Sequence, residues 1–486
     1  MNDKYYLAID LGAESGRAIV GDIAGGSISL TEMHRFANWP VKLSTGIHWD
    51  IQELWREIKS GLTTSARYPL ESIGLDTWGV DFALLDANGN LLDFPYHYRD
   101  TRTDGMLEEA FRRVPREKIF TQTGVQFMQI NTLYQLLSMA IAGDPQLKTA
   151  KTFLTMPDLF NYWMSGVATC EFTNATTTQC FDPVQRTWAL SLLDELGIPT
   201  NIFPSVCQPG TQLGMLLPAV AAETGANAVP VIAPACHDTG SAVVAVPAVG
   251  RDFAWLSSGT WSILGAEVQE PILNAKALEY NFTNEGGVFG SWRLSKNIMG
   301  LWIIQECKRE WGLLYDELTR LAEKARPFLA VIDPDASLFL HSGDMPAKVR
   351  QFCAQTNQLV PETQGQVIRV VLESLALKYR FSLERLEELA GKRLEPLHIF
   401  GGGTKNRLLN QFSADATNRT VITGSVEATA IGNVLMQALT LGELESLSEA
   451  RQLVRRSFDI EEYHPKIDDG WEQAFDILKV LSVGKD

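Results

Sequence analysis

Residues 5–33 read YYLAIDLGAESGRAIVGDIAGGSISLTEM, and this stretch decides the fold. Tyr5 to Ile9 is a short apolar run, and Asp10 to Gly16 is rich in turn formers. Arg17 to Ile23 is a second strand, and Gly25-Gly26 turns the chain into a third, Ser27 to Met33. Three strands joined by close turns predict an antiparallel meander.

The same plan returns downstream. Phe253 to Leu256 is an apolar strand, Ser257-Ser258-Gly259-Thr260 a turn, and Trp261 to Val268 a strand. A second unit also occurs twice. Val229 to Ile232 predicts a strand, followed by the loop Ala235-Cys236-His237, Asp238 and a small-residue helix from Thr239 to about Val246. Leu397 to Phe400 predicts its counterpart, followed by Gly401-Gly402-Gly403 and a helix from about Arg407. A long helix precedes that unit, with the stripe Val371, Leu375, Tyr379, Leu383, Leu386 closed by Gly391, a pattern of core packing. Between the first pair of units, Ile73 to Leu85 repeats strand–turn–strand on a smaller scale. Asn131 predicts the start of a helix with the stripe Leu133, Leu136, Leu137, Ala140, ended by Gly143. Pro247 and Gly250 mark a boundary. The chain therefore divides into two lobes of related α/β plan, 1–246 and 250–486, with two donor-rich turns facing each other across a cleft. Clefts between domains favour ligand binding and closure.

Bulk composition narrows the function. The 486 residues carry 42 Lys and Arg against 58 Asp and Glu, a net charge of −16. Such a surface repels nucleic-acid phosphates and anionic lipid, which excludes both as partners. It would repel ATP too, so a nucleotide site here needs a counter-cation and local positive dipoles. The six cysteines, Cys170, Cys180, Cys207, Cys236, Cys307 and Cys353, form no Cys-x-x-Cys pair and read as reduced thiols of a cytoplasmic protein. No signal-peptide pattern and no membrane-length apolar run is legible.

Four segments can carry chemistry. In Asp10-Leu11-Gly12-Ala13-Glu14-Ser15-Gly16-Arg17 the glycines let amide N–H groups approach an anion, Ser15 adds a donor and Arg17 a charge. Asp10 can hold Mg²⁺ directly or through water. The competing reading is a plain tight hairpin. Ser257 to Thr260 has the same two readings. Gly401 to Gly403, followed by Asn406, lets a nucleotide approach the backbone at a helix N-terminus, or simply packs strand on helix. Asp238, within His237-Asp238-Thr239, is either an acceptor for a hydroxyl proton or a helix N-cap. It serves as both only if one carboxylate oxygen stays free. No P-loop and no Ser–His–Asp elbow is present.

Further segments complete a resemblance: Leu75-Asp76-Thr77-Trp78-Gly79-Val80-Asp81-Phe82, Tyr98-Arg99-Asp100-Thr101-Arg102, Asn131 to Leu136, Thr173 to Gln179, Thr283-Asn284-Glu285-Gly286-Gly287, Lys296 to Trp302 and Glu427 to Asn433. Together with the turns above, and over nearly the whole chain, they resemble the FGGY family of carbohydrate kinases. The resemblance implies two ribonuclease-H-like domains of the actin-like ATPase type flanking an ATP and sugar cleft. It implies transfer of the ATP γ-phosphate, with Mg²⁺, to a hydroxyl of a small ketose. Asp238 is implied as catalytic base, and Gly79, His237, Asp238, Thr239 and Asn297 as sugar contacts. Ala13, Glu14, Ser15, Gly16, Arg17, Thr260, Gln305 and Gly402 are implied as ATP contacts, with Asn406 near the adenine and Asp10 near Mg²⁺. Glu14 departs from the family's small hydroxyl residue. A carboxylate facing phosphates is repulsive, so it is expected to point outward. A methyl-bearing ketose would need apolar surface, which Trp78, Phe82, Phe127 and Met128 can offer. The implied partners are ATP/ADP and the ketose, on a monomer or small homo-oligomer. The rival from another class is a non-catalytic nucleotide-switched protein, which would not need an acid poised over a sugar pocket.

Overall fold

The computed structural model describes residues 3–482. The opening stretch forms the predicted meander: β1 (Lys4–Leu11), β2 (Ser15–Ala24) and β3 (Ser27–Ala37), antiparallel in succession. The first hairpin sets Asp10 opposite Arg17. On its other side β1 pairs in parallel with β4 (Leu70–Thr77), which puts Asp76 beside Asp10 at the strand ends. β5 (Thr211–Met215) and β6 (Pro230–Ala233) complete a six-stranded sheet of order β5-β6-β4-β1-β2-β3.

The second sheet repeats this centre. β7 (Ala254–Ser258) pairs antiparallel with β8 (Trp261–Val268) and parallel with β11 (Leu397–Phe400). With β9 (Thr283–Gly286), β10 (Trp292–Met299), β12 (Val421–Thr423) and β13 (Glu461–Tyr463) the order is β9-β10-β8-β7-β11-β12-β13.

The helices that matter for the site are α1 (Thr132–Ala142), α2 (Asp238–Val244), α3 (Trp302–Trp311), α4 (Gln364–Ala390), α5 (Arg407–Thr417) and α6 (Ala428–Thr440). The whole predicted stripe of α4 is buried, and Tyr379 within it shares a hydrogen bond of 2.8 Å with Ser262 Oγ. Gly143 and Gly391 end α1 and α4 in the left-handed conformation, as a residue without a Cβ permits.

Ile73 to Leu85 is strand–turn–strand as read, but its two strands do not pair with each other as those of the opening meander do. Its first half belongs to β4, while Phe82–Leu85 leaves the sheet and pairs with Thr152–Thr155. The break is fixed by Asp81, whose buried carboxylate accepts from Trp49 Nε1 (2.6 Å), Trp78 Nε1 (3.0 Å) and Gln135 Nε2 (2.9 Å). Burial raises the Asp81 pKa to about 6 against these lowering bonds.

The two sheets are joined by a core of their own. Tyr6, Ala8 and Ile19 of the first sheet, Ala242 to Val246 at the end of α2, and Ala430, Ile431, Val434 and Leu435 of α6 form one buried cluster. Helix α6, late in the chain, thus lies on the first sheet. Beneath it runs a buried polar ladder. Ser72 Oγ donates to Gln437 Oε1 (2.7 Å), Gln437 Nε2 to Leu7 O (3.0 Å), and Asn433 Nδ2 to Asp76 Oδ2 (2.6 Å).

Candidate active site

A cavity of about 260 Å³ opens where the two sheets face each other. All five residues expected at the sugar or base position, Gly79, His237, Asp238, Thr239 and Asn297, line it, and so does Ala13 of the first turn, expected as an ATP contact. The sequence placed them by motif; the fold brings them together from the loop after β4, the start of α2, β10 and the β1–β2 turn.

Asp238 is the first residue of α2, and His237 is its N-cap position, so the carboxylate is not the N-cap expected as one alternative. Its Oδ1 nevertheless meets the helix start, accepting from Thr239 N and from Thr239 Oγ1 (3.0 Å), with His237 Nε2 at 3.4 Å. No hydrogen bond reaches Oδ2 among the described residues, and the side chain is 30% exposed, toward the cavity. One oxygen is anchored while the other is free, which is the condition for a residue that both holds a helix end and takes a proton.

His237 is itself held from the second sheet. Arg293 Nη2 on β10 lies 3.0 Å from its Nδ1, and Glu285 Oε2 on β9 lies 3.3 Å from the same atom. Arg293 and Glu285 pair at 3.1 Å. Burial pushes the Glu285 pKa up, but Arg293 and His237 outweigh it and the net shift is downward. Asn297 is fixed by Gln126 from the other lobe: Asn297 N (2.9 Å) and Nδ2 (3.0 Å) both donate to Gln126 Oε1.

Gly79 is packed against Thr177, whose Oγ1 accepts from Val80 N at 3.1 Å. Val80 has φ +68°, a conformation rare for a β-branched residue. Its carbonyl is pinned by Thr132 Oγ1 (2.5 Å) and Gln135 Nε2 (3.3 Å) of α1. Strain held in this way is typical of functional sites.

The expected nucleotide residues fall in two groups. In the second lobe, the turn before β8, the start of α3 and the Gly401–Gly403 turn are contiguous. Leu301 N donates to Gly259 O (2.9 Å), Trp302 N to Thr260 O (3.2 Å), and Gln305 Nε2 to Thr260 Oγ1 (3.1 Å). A Cβ on Gly402 would meet no atom within 4 Å, whereas one on Gly403 would strike Ser258. Asn406 caps α5, its Oδ1 accepting from Leu409 N at 3.0 Å. In the first lobe, Ser15, Gly16 and Arg17 begin β2. Arg17 is bound to Asp10 (2.7 Å) and to Glu427 at the start of α6, so its charge is shared with two carboxylates. Glu14 is exposed, within electrostatic reach of Tyr98 on the cavity wall and Tyr315 of the second lobe.

Of the four apolar candidates, Trp78 and Met128 line the cavity. Phe82 and Phe127 do not: Phe82 stacks on Phe153 at 5.1 Å, and Phe127 packs edge-on to Phe111 at 5.2 Å. The sequence reading gave no role to Tyr98, Gln126, Thr177, Trp261, Glu285 or Arg293. The segments carrying Tyr98, Thr177, Trp261 and Glu285 signalled themselves as family-like runs. Gln126 and Arg293 had no local signal.

Asp10 and Asp76 lie side by side at the ends of β1 and β4. No three His, Cys, Asp or Glu side chains converge to hold a bare metal ion among the described residues. Asp10 is raised to about 6 by burial, offset by Arg17 and reinforced by Asp238 and Glu427. Burial also raises Asp76, with Asp10 and Asp238 adding to it, and its Oδ1 has no partner. An excess of buried negative charge with one cation suits Mg²⁺ that arrives on phosphates and keeps most of its waters, needing only one or two carboxylates from the protein.

The chain is similar to known proteins over nearly its whole length. Residues 5–245 match the FGGY family of carbohydrate kinases, N-terminal domain, and 254–441 match the C-terminal domain. A rhamnulokinase of Bacteroides thetaiotaomicron is 44% identical over 473 residues, covering 97% of this chain and 98% of the relative. A rhamnulokinase of Halalkalibacterium halodurans is 42% identical over 464 residues, covering 95% and 98%. Among solved structures, a ligand-bound xylulose kinase from Lactobacillus acidophilus superposes with a TM-score of 0.84 at 15% identity over 99% of both chains. A Plasmodium falciparum glycerol kinase with ADP gives 0.79 at 16% identity over 98% of both. These likenesses carry the fold: two α/β domains of the actin-like ATPase type.

Proposed function

The chain belongs to the FGGY family of carbohydrate kinases and is an ATP-dependent sugar kinase; from that premise we propose that its acceptor is L-rhamnulose, phosphorylated on O1 to give L-rhamnulose 1-phosphate and ADP. The observation that carries the choice of sugar is full-length identity of 39–44% to rhamnulokinases from eight sources. Trp78 and Met128 on the cavity wall support it, as apolar surface for the methyl group of a 6-deoxy ketose.

In this reading Asp238 Oδ2 takes the proton of the O1 hydroxyl as that oxygen attacks the γ-phosphorus in line. Gly79, His237, Thr239 and Asn297 hold the sugar. The β1–β2 turn from Ala13 to Arg17, with Thr260, Gln305 and Gly402, holds the nucleotide, and Asn406 borders the adenine. Glu14 lies at the rim of the same turn. Asp10 would hold the Mg²⁺ of the nucleotide, which supplies charge neutralisation on the phosphoryl oxygens. The lobes are taken as 1–246 and 250–486. The enzyme works in the cytoplasm on ATP and ketose, apart from nucleic acid and membranes, as a monomer or small homo-oligomer. The acidic surface supports this, and no helix among the described residues is long and apolar enough to cross a membrane.

The test compares kcat/KM for L-rhamnulose, L-fuculose, L-xylulose and L-fructose at equal ATP by coupled ADP release. L-Rhamnulose is expected to lead. Apolar pockets discriminate against altered analogues by only about 10- to 200-fold, so the others should leak. If L-xylulose, which lacks the methyl-bearing carbon, is the best substrate, the assignment of the sugar is wrong and the kinase assignment stands.

A further inference from the structure

We propose that Arg293 and Glu285, side chains of the second lobe, position the catalytic base of the first lobe by fixing the tautomer of His237. The inference rests on the reading of Asp238 as base.

Arg293 is 1% exposed, and its guanidinium is the donor in every hydrogen bond it makes. Its Nη2 faces both Glu285 Oε2 (3.1 Å) and His237 Nδ1 (3.0 Å), and its Nε donates to Gly286 O (2.8 Å). A guanidinium N–H directed at Nδ1 requires a lone pair there. The proton of the neutral imidazole is then on Nε2, and Nε2 is the nitrogen that faces Asp238 Oδ1 at 3.4 Å. The Nε2–H dipole thus joins Thr239 N and Thr239 Oγ1 in holding Oδ1. Two hydrogen bonds on Oδ1, with the Nε2–H dipole facing the same oxygen, leave Oδ2 as the free proton acceptor and set the rotation of the carboxylate about its own axis.

Glu285 has a separate part. Without a carboxylate, the guanidinium would be an unpaired buried cation, which is costly. With it, Arg293 is held at the register where β9 and β10 lie side by side: Glu285 is directly opposite Arg293 in the ladder. If Nδ1 instead carried the proton, Glu285 Oε2 at 3.3 Å could accept it, but the Arg293 N–H at 3.0 Å would lose its acceptor and face a second donor. Nε2 would then turn a lone pair toward Asp238 Oδ1, and two negative ends would face each other. The arrangement therefore selects one tautomer.

The consequence is a link between lobes. Asp238 and His237 sit at the start of α2, whereas Arg293 and Glu285 sit in the second sheet. The base is set only while β9 and β10 are docked against residue 237. Gly286 N donating to Thr176 Oγ1 (2.7 Å) and Asn284 N donating to Gly124 O (2.8 Å) hold that docking in place.

The experiment uses the full chain, with long-range ¹⁵N–¹H spectra of the seven histidines at neutral pH and no sugar, His237 being identified by His237→Gln. Wild type should show His237 as the Nε2–H tautomer. Arg293→Lys keeps the charge but cannot reach both acceptors, and Glu285→Gln keeps the shape without the charge. Both should move His237 toward a tautomer mixture. Both should lower kcat by about 10- to 100-fold, the scale of a misplaced reacting group, with KM for sugar and ATP within about threefold. Kinetics are read on whichever ketose wild type phosphorylates fastest, so a wrong sugar leaves this test intact. A wild-type His237 protonated on Nδ1 overturns the proposal, as does a folded Arg293→Lys with unchanged tautomer and kcat. Loss confined to KM also overturns it, since that would make Glu285 a sugar contact. Should either variant fail to fold, the wild-type spectrum still decides.

Discussion

Gly432 sits inside α6 where that helix crosses α2, and replacing it by Ala separates two effects of opposite sign. In a helix interior, Gly→Ala ordinarily stabilises by about 0.5–1 kcal/mol through backbone entropy. Here a Cβ would lie 2.6 Å from the carbonyl carbon of Ser241 and nearer still to its oxygen, against the 3.4 Å at which ordinary van der Waals contact begins. The obstacle is backbone on a buried helix, so no side chain can swing away. The helices must part by about 0.8 Å or more. Overpacking of this kind costs about 1–3 kcal/mol, occasionally more, so the clash outweighs propensity and the variant should be the less stable. A second readout follows from the fold. Ser241 is three residues beyond Asp238 on the same short helix, so a shift of α2 carries the base with it. A displacement of about 1 Å at a reacting group costs up to ~10²-fold in rate. Gly432→Ala should therefore melt earlier and show kcat lowered about tenfold or more, with KM for ATP little changed. Thermal unfolding and coupled ADP release measure both. A variant as stable and as active as wild type would refute the reasoning, because the entropy term alone would then have prevailed.

Two further outcomes are expected. Asp238→Asn keeps the hydrogen bonds at Oδ1 but cannot take a proton, so kcat should fall about 10²–10⁴-fold with much smaller changes in sugar and nucleotide affinity. Near-normal turnover would reduce Asp238 to a helix-end residue. Asp158 is fully buried, accepting from Thr155 Oγ1 and from Glu171 N (3.1 Å), and burial, with the nearby Glu171 carboxylate adding, raises its pKa to about 8. A raised acid binds its proton more tightly when folded. Its contribution is full below the unfolded value near 3.8 and is lost as pH rises toward 8. Asp158→Asn should therefore lose less stability than wild type between pH 5.5 and 8 in denaturant titrations; an equal loss would show that Asp158 is not the group responsible.

Much of the fold was legible because its signals are local. Each lobe opens with an apolar run, a Gly- and Ser-rich turn and a second apolar run, and those residues form the β1–β2 and β7–β8 hairpins almost as read. The small error at Asp238, N-cap against first helical residue, is an error of one position, which capping preferences do not resolve. That the two strands within 73–85 do not pair with each other has a tertiary cause. Only the burial of Asp81 among Trp49, Trp78 and Gln135 breaks the run, and Trp49 is 32 residues away. The side chains that complete the site were illegible for the same reason. Gln126 meets Asn297 across 171 residues, and Arg17 meets Glu427 across 410. Neither pair has a spacing that any periodicity could expose. The direction of a side chain is likewise set by its neighbours, which is why Trp78 and Met128 reach the cavity while Phe82 and Phe127 pack on Phe153 and Phe111.

The contacts between lobes are unevenly distributed, and their placement bears on how phosphoryl transfer is kept from water. At the acceptor end the lobes meet through Gln126 and Asn297, through His237, Glu285 and Arg293, and through Arg99, whose guanidinium lies over both Tyr98 (5.6 Å) and Trp302 (5.8 Å). At the phosphate end Arg17 of the first turn pairs with Glu427, and the polar ladder beneath α6 adds Asn433 to Asp76. Every bridge at the acceptor end uses or adjoins a residue that lines the sugar cavity. A sugar bound there would meet Gln126 and Asn297 of one bridge and His237 and Glu285 of another, so its binding energy would act on the relative position of the lobes. Water, which makes one or two hydrogen bonds, can stabilise few of these contacts at once. Recognition of the acceptor and assembly of the base are then one event, and the discrimination between ketose and water arises from the number of interlobe contacts that each can hold together.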